Sequence, residues 1–452
     1  MNKNSASKIK SVALRYLSDR EAILLKAGII FCVFAFVLAL IRSAVTAITY
    51  DEAYSYLFVA RENMLDPGFL FKMFSKEGCI ANNHWLNSFL IHLATRFIKT
   101  SYREYTYSEF MIRLPVLIIY AVYLFAVCSN FRKKNISFPV LIFLVGNYYL
   151  NEFYGLARGY AMANTFIFLL CMRYLDWKRS GFSEMKYISA AMICGILAVL
   201  SNTIVLLLYP AIGLVCLNRL LSTGNLKKFM KKSGIVFVLF AAVCLLMFKY
   251  HLNISAEGKP LYTGENAGFF DCFVKGFAAM FISGKKLQTV ISALLTGLVI
   301  LSLLTAIKRI KELDFSVMML IFIMTNLVME MIFRKGYITH RILLPFYAFM
   351  VLAVSELFSA AWKSIPVWRN GRSMSHTGRA LSAVFCAAAV IIFCAKIELR
   401  GTRDWAWDYK YRTYVDGSYM TGIEFDVPWN AAIVFYQDRD QDIIDAYISY
   451  MR

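Results

Sequence analysis

Eleven apolar stretches divide this chain, at approximately 24–48, 112–131, 136–151, 157–175, 187–201, 203–221, 233–250, 287–307, 315–333, 342–362 and 380–397. Each is long enough, alone or with its polar ends, to cross about 30 Å of hydrocarbon as an α-helix. No water reaches the backbone inside a bilayer, so such stretches are driven into helices that pair every N–H and C=O within the segment. Hydrophobic residues fill 59% of 452 positions and charged residues only 17%, more apolar surface than a water-soluble domain can bury. The expected fold is an all-α polytopic membrane protein with about 11 transmembrane helices.

A net formal charge of +20 raises the question of nucleic acid, but the basic residues form neither a face nor a stripe. They cluster between apolar stretches, as at Arg132-Lys133-Lys134, Lys178-Arg179, Lys227-Lys228 with Lys231-Lys232, and Lys308-Arg309 with Lys311. Alternate connections carry far fewer, so the positive-inside rule predicts an N-in, C-out topology and no nucleic-acid partner. On that topology, residues 1–23 form a cytoplasmic N-terminus and 24–397 the transmembrane domain. A long first extracytoplasmic loop covers 49–111, and 398–452 forms a small extracytoplasmic appendage. The first stretch is too long for a signal-peptide core and reads as an uncleaved anchor.

Within the long loop, Leu86-Asn87-Ser88-Phe89-Leu90-Ile91-His92-Leu93 is too short to span and reads as an amphipathic helix on the membrane surface. In the appendage, 431–436 reads as a strand and 442–451 as a helix. Eight of the ten cysteines lie inside apolar stretches and read as small core hydrophobes. Cys79 and Cys272 fall in outside loops, as a disulfide or as two separate thiols.

The predicted topology collects the unusual polar residues on one face. Tyr50-Asp51-Glu52-Ala53 places two adjacent carboxylates where the first stretch leaves the membrane, a costly position that does nothing for insertion. Asn82-Asn83-His84-Trp85 leads into the surface helix. Glu152, Arg158 and Tyr160 lie around the turn between the third and fourth stretches. Tyr337, His340 and Arg341 lie between the ninth and tenth. Singly, each has an ordinary reading as a solvated loop residue, a turn former or an interfacial anchor. Together they place carboxylates, imidazoles and guanidiniums on a single side, and predict a polar cavity bounded by 51–52, 82–84, 158 and 341.

A carboxylate there suits a general base acting on a hydroxyl from the aqueous side. Guanidiniums at the same depth suit a phosphate whose lipid tail stays in the bilayer. Together these describe glycosyl transfer from a polyprenyl-phosphate sugar donor, with the leaving phosphate stabilised by cations. The acceptor stays open between a glycolipid, a polysaccharide and a protein.

The Tyr50-Asp51-Glu52-Ala53 motif resembles the acidic first-loop signature of GT-C fold glycosyltransferases, in the branch of protein O-mannosyltransferases and the lipid A aminoarabinose transferase. Asn83-His84 with Leu86-Asn87, Arg113-Leu114-Pro115, Arg158-Gly159-Tyr160, and Arg341 with Pro345 resemble further motifs of that branch, over roughly residues 20–350. Trp85 and Gly159 depart from it, each standing where proline is common. The resemblance implies a GT-C-like fold in a bacterial inner membrane, acting in cell-envelope glycan biosynthesis from the periplasmic side. It implies Asp51 as catalytic base, with Glu52 supporting it or helping to bind a divalent metal (Mg or Mn). It further implies that His84 shapes the acceptor or metal site, and that Arg158 and Arg341 hold the donor phosphate. Asn83, Glu152, Tyr160, Tyr337 and His340 complete the expected substrate site. The rival reading is a transporter or lipid flippase, which would place its charges near the bilayer midplane and often show paired halves.

Overall fold

The computed structural model of the chain describes residues 3–45, 52, 55, 60, 64–75, 84–96, 109–256, 268–281, 285–306, 312–333, 338, 340–364 and 376–396. The expected appendage at 398–452, Cys79 and most of the 49–111 loop lie outside the described residues. Among the described residues every regular element is helical.

The bundle is built on α1 (Lys3–Val45), α4 (Glu109–Arg132), the bent run α5 (Phe138–Val145), α6 (Tyr148–Tyr154) and α7 (Gly159–Arg179), and α8 (Met185–Ser201). Between α1 and α4 come two short helices, α2 (Pro67–Met73) and α3 (Trp85–Arg96). After a 3₁₀ turn at Thr203–Leu208 follow α9 (Tyr209–Ser222), α10 (Leu226–Ala256), a short π turn with α11 (Gly276–Ala279), α12 (Lys285–Ala306) and α13 (Asp314–Phe333). A 3₁₀ turn at His340–Phe346 then opens α14 (Tyr347–Ser364), and α15 (His376–Lys396) is the last described helix.

Among the described residues, seven segments are long and apolar enough to cross a membrane: Glu21–Ala44, Phe110–Arg132, Thr203–Ser222, Leu226–Ile254, Lys286–Leu304, Asp314–Met331 and Arg341–Ala361. The α6–α7 pair, bent by 110°, makes an eighth if counted as one span. The protein is thus a polytopic helical membrane protein, with seven to eight such spans among the described residues where the sequence predicts about 11. α8 is helical but shorter, and in α15 only Ala383–Lys396 makes a short apolar helix.

The clearest departure falls at 136–151. The apolar stretch is not one helix; it breaks at Gly146-Asn147 into α5 and α6, of eight and seven residues. Each half is only about 10–12 Å long, too short to cross. The break is stabilised from elsewhere in the chain. Tyr347 on α14 donates its hydroxyl to the Phe143 carbonyl at 2.5 Å, and Tyr123 on α4 donates to the Leu144 carbonyl at 2.9 Å. The Asn147 side chain accepts from the Leu150 N–H at 2.9 Å and caps α6. A Cβ on Gly146 would sit 2.6 Å from the Ile142 carbonyl oxygen, so the backbone at the break favours glycine. Irregular backbone is tolerated at this depth because protein groups replace the missing water.

Below the break an aromatic and amide seam binds the centre. Tyr120 stacks on Tyr154 at 3.9 Å, and Asn151 donates to the Tyr120 hydroxyl and the Ala35 carbonyl, both at 2.9 Å. Asn164 accepts from the Ala348 N–H at 2.8 Å, joining α7 to α14.

Arg158 and Lys178 flank opposite ends of α7, about 30 Å apart along its axis. At the Lys178 end, Arg219 pairs with the buried Asp314, and Lys178 reaches the same carboxylate at 2.8 Å and Glu356 at 3.8 Å. This ionic cluster ties α7, α9, α13 and α14 together. The Arg158 end carries the expected functional residues.

Candidate functional site

Glu52 is the described member of the acidic pair, and it is fully buried. Arg113, near the start of α4, donates Nε to Oε1 at 2.8 Å and Nη2 to Oε2 at 2.7 Å, a bidentate pair between two unexposed side chains. Its remaining Nη1 donates to the Ser43 carbonyl near the end of α1 at 3.0 Å. The Ala157 N–H donates to Oε1 at 2.5 Å, and Asn87 on α3 donates to the Ala157 carbonyl at 2.8 Å. One carboxylate and one guanidinium therefore clamp α1, α4 and the 155–158 turn, with α3 latched on through Asn87. Arg42 is also fully buried; a Cβ on Gly155 would lie 2.8 Å from its Cδ, so glycine lets this side chain pass the turn.

The clamped turn carries Arg158, which is almost fully buried and donates to the Ser55 hydroxyl at 3.4 Å. Its guanidinium carbon lies 5.6 Å from the centre of the Tyr160 ring, a cation–π distance. His84 meets the same ring edge-on at 4.8 Å. Gly159 makes this approach possible: a Cβ there would fall 2.0 Å from the Ser201 carbonyl oxygen and 2.7 Å from His84 Cβ. Proline or any larger residue would push His84 away, which gives the departure at this position a steric reason.

Burial pushes the His84 pKa well below the ordinary imidazole value, and the nearby Arg158 and Arg341 guanidiniums push it further; a backbone hydrogen bond with Ser201 opposes them. His84 is therefore neutral at pH 7. Its Nε2 is buried without a hydrogen-bond partner among the described residues. Two guanidiniums beside a neutral imidazole, adjoining a buried carboxylate clamp, are a cationic grouping of the kind that suits an anionic partner.

Trp85, the other departure from the resembled motif, stacks on Phe74 with ring centroids 4.7 Å apart and meets Tyr250 of α10 at 5.6 Å. It fastens α3 to α2 and α10. The expected surface helix exists as α3, but it turns Asn87, Ser88 and Ile91 into the protein instead of lying free.

The structure thus brings Glu52, His84, Arg158, Tyr160 and Arg341 to one end of the bundle. Glu152 is fully buried on α6, one turn before Gly155. Asp51, Asn83 and Tyr337 lie outside the described residues; His340 opens the 3₁₀ turn, with its side chain outside them. The expected open cavity is only partly described: Glu52, His84 and Arg158 are enclosed by protein, and Arg341 is partly exposed.

The described members of the expected metal set, Glu52 and His84, fit a divalent cation poorly. Glu52 is already neutralised by Arg113, and His84 faces two guanidiniums. No group of three or more His, Cys, Asp or Glu suited to a metal occurs among the described residues.

Sequence reading quoted Arg113 and Asn87 only within resembled motifs and missed their structural roles, and it passed over Arg42. A signal was present. Arg42 and Arg113 interrupt or border apolar stretches, where an uncompensated guanidinium is costly and a partner is required.

Comparison with protein-family models, with curated proteins and with solved structures finds no match to the chain.

Proposed function

We propose that this chain is a membrane glycosyltransferase that moves a sugar from a polyprenyl-phosphate donor to an acceptor hydroxyl on the extracytoplasmic face of a bacterial inner membrane. The observation that carries this reading is the meeting of Arg158, Arg341 and neutral His84 directly beside the clamp that anchors the acidic motif. In this reading Asp51 takes the acceptor proton as the oxygen attacks the anomeric carbon. The donor phosphate leaves onto Arg158 and Arg341, whose charges stabilise it as its negative charge develops. Glu52, held by Arg113, positions Asp51 and is not itself the base. His84 Nε2 accepts from a substrate hydroxyl. The acceptor class, whether glycolipid, polysaccharide or protein, follows from groups beyond these.

The charge pattern supports an N-in, C-out arrangement in which the broken α5–α6 run, α8 and α15 each count as a crossing. The Lys178–Arg219–Asp314 cluster then faces the cytoplasm.

The test is Asp51→Asn, which keeps shape and insertion. Mass spectrometry of envelope lipids and glycans should show loss of one hexose or pentose modification at normal membrane levels of the protein. Unchanged glycans would reject the assignment, and a defect in lipid or solute movement without loss of transfer would favour a transporter.

A further inference from the structure

Cys32 on α1 and Cys128 on α4 are two of the cysteines that read as apolar fillers, yet their sulfurs lie 3.4 Å apart, with the Cys128 thiol donating to Cys32 Sγ. They are 96 residues apart in sequence, so only the packing of α1 on α4 brings them together. Ala35 and Ala39, fully buried on α1, let the two helices approach closely. Cys32 is buried, whereas Cys128 is half-buried. One turn from each thiol the surface is apolar and open: Ile29 is 44% exposed and Phe125 75% exposed. A small oxidant dissolved in hydrocarbon therefore reaches Cys128 first, with Cys32 behind it.

We propose that Cys32 and Cys128 are a redox modification site, closing to a reversible disulfide when a lipid hydroperoxide oxidises Cys128. The Cys128 sulfur attacks the peroxide; an S–O bond forms, the O–O bond breaks, and the thiol proton leaves with the alkoxide as an alcohol. Cys32 then attacks the sulfenic acid. The S–S bond forms, the S–O bond breaks, and hydroxide leaves with the Cys32 proton as water. Two thiols lose two electrons and the peroxide gains them. Closure draws the sulfurs from 3.4 Å to about 2.05 Å and ties α1 covalently to α4. The site does not depend on the transferase reading.

The experiment uses the full chain in lipid nanodiscs, reduced and then exposed to cumene hydroperoxide, a bilayer-soluble probe. Free thiols are alkylated and non-reduced peptides mapped by mass spectrometry. The expected result is loss of alkylation at both Cys32 and Cys128, with a peptide pair linking them that dithiothreitol removes. In Cys32→Ser, Cys128 should instead be trapped by dimedone as sulfenic acid. Untouched thiols, links among other cysteines in place of this one, or wild-type Cys128 advancing to sulfinic acid unlinked would overturn the proposal. The wild-type map decides the matter even if a serine variant folds poorly.

Discussion

Glu52 shows how a residue's neighbours decide its role. Beside Asp51 in the sequence it reads as half of a catalytic pair, but its carboxylate accepts from Arg113 twice and from the Ala157 N–H. Breaking a buried pair strands the other charge and costs about 3–5 kcal/mol, whereas an exposed pair costs little. Arg113→Met should therefore lower the apparent Tm sharply and reduce membrane levels, while Asp51→Asn leaves both near wild type; thermal unfolding in detergent separates the two. Equal behaviour would place both carboxylates in one role. His84 makes a second prediction. Its folded pKa lies below the unfolded value near 6.5, so the unfolded chain binds the extra proton first. Stability from this group is complete above about pH 6.5 and falls as pH drops below it, by up to about 1.4 kcal/mol per unit until the folded pKa is reached. Tm measured from pH 7.5 to 5 should fall less steeply in His84→Gln. An identical slope would show that the imidazole does not titrate on unfolding.

At the scale of elements, the break between α5 and α6 is the feature that the sequence conceals. Phe138–Val145 is uninterrupted apolar sequence, and Gly146 alone does not end a helix. The hydroxyls of Tyr123 and Tyr347 hold the carbonyls at the break, and they come from α4 and α14. Tyr347→Phe should cost about 1 kcal/mol and Tyr123→Phe a similar amount, since each leaves one carbonyl short of a donor. Their carbonyls are adjacent, so the double variant should lose a different amount from the sum of the singles. Additive losses in thermal unfolding would mean that the two hydroxyls act independently. α3 was legible as a helix because its apolar residues recur at helical spacing. Its docking was not, because the residues it buries include the polar Asn87 and Ser88.

For the whole molecule, two polar layers about 30 Å apart enclose an apolar bundle. One contains Glu52, Arg113, His84, Arg158 and Arg341, the other Lys178, Arg219, Asp314 and Glu356. If the first faces outward, a reporter active only outside the cytoplasm should be active when fused after Lys396 and silent when fused after Lys134 or Thr223. Activity at Lys134 would reverse the proposed orientation and place the acidic motif on the cytosolic side. The helical membrane class was legible from apolar runs alone, because hydrocarbon leaves the backbone no other way to pair its polar groups. The collection of His84, Arg158 and Arg341 at one end was legible too, since charge bias assigns their connections to one face. Tertiary structure alone decided that Glu52 belongs to Arg113, 61 residues away, that the helix of an unbroken apolar run stops at Gly146, and that Cys32 touches Cys128. Those outcomes depend on side chains supplied by distant helices, and local pattern carries no record of which distant partner arrives.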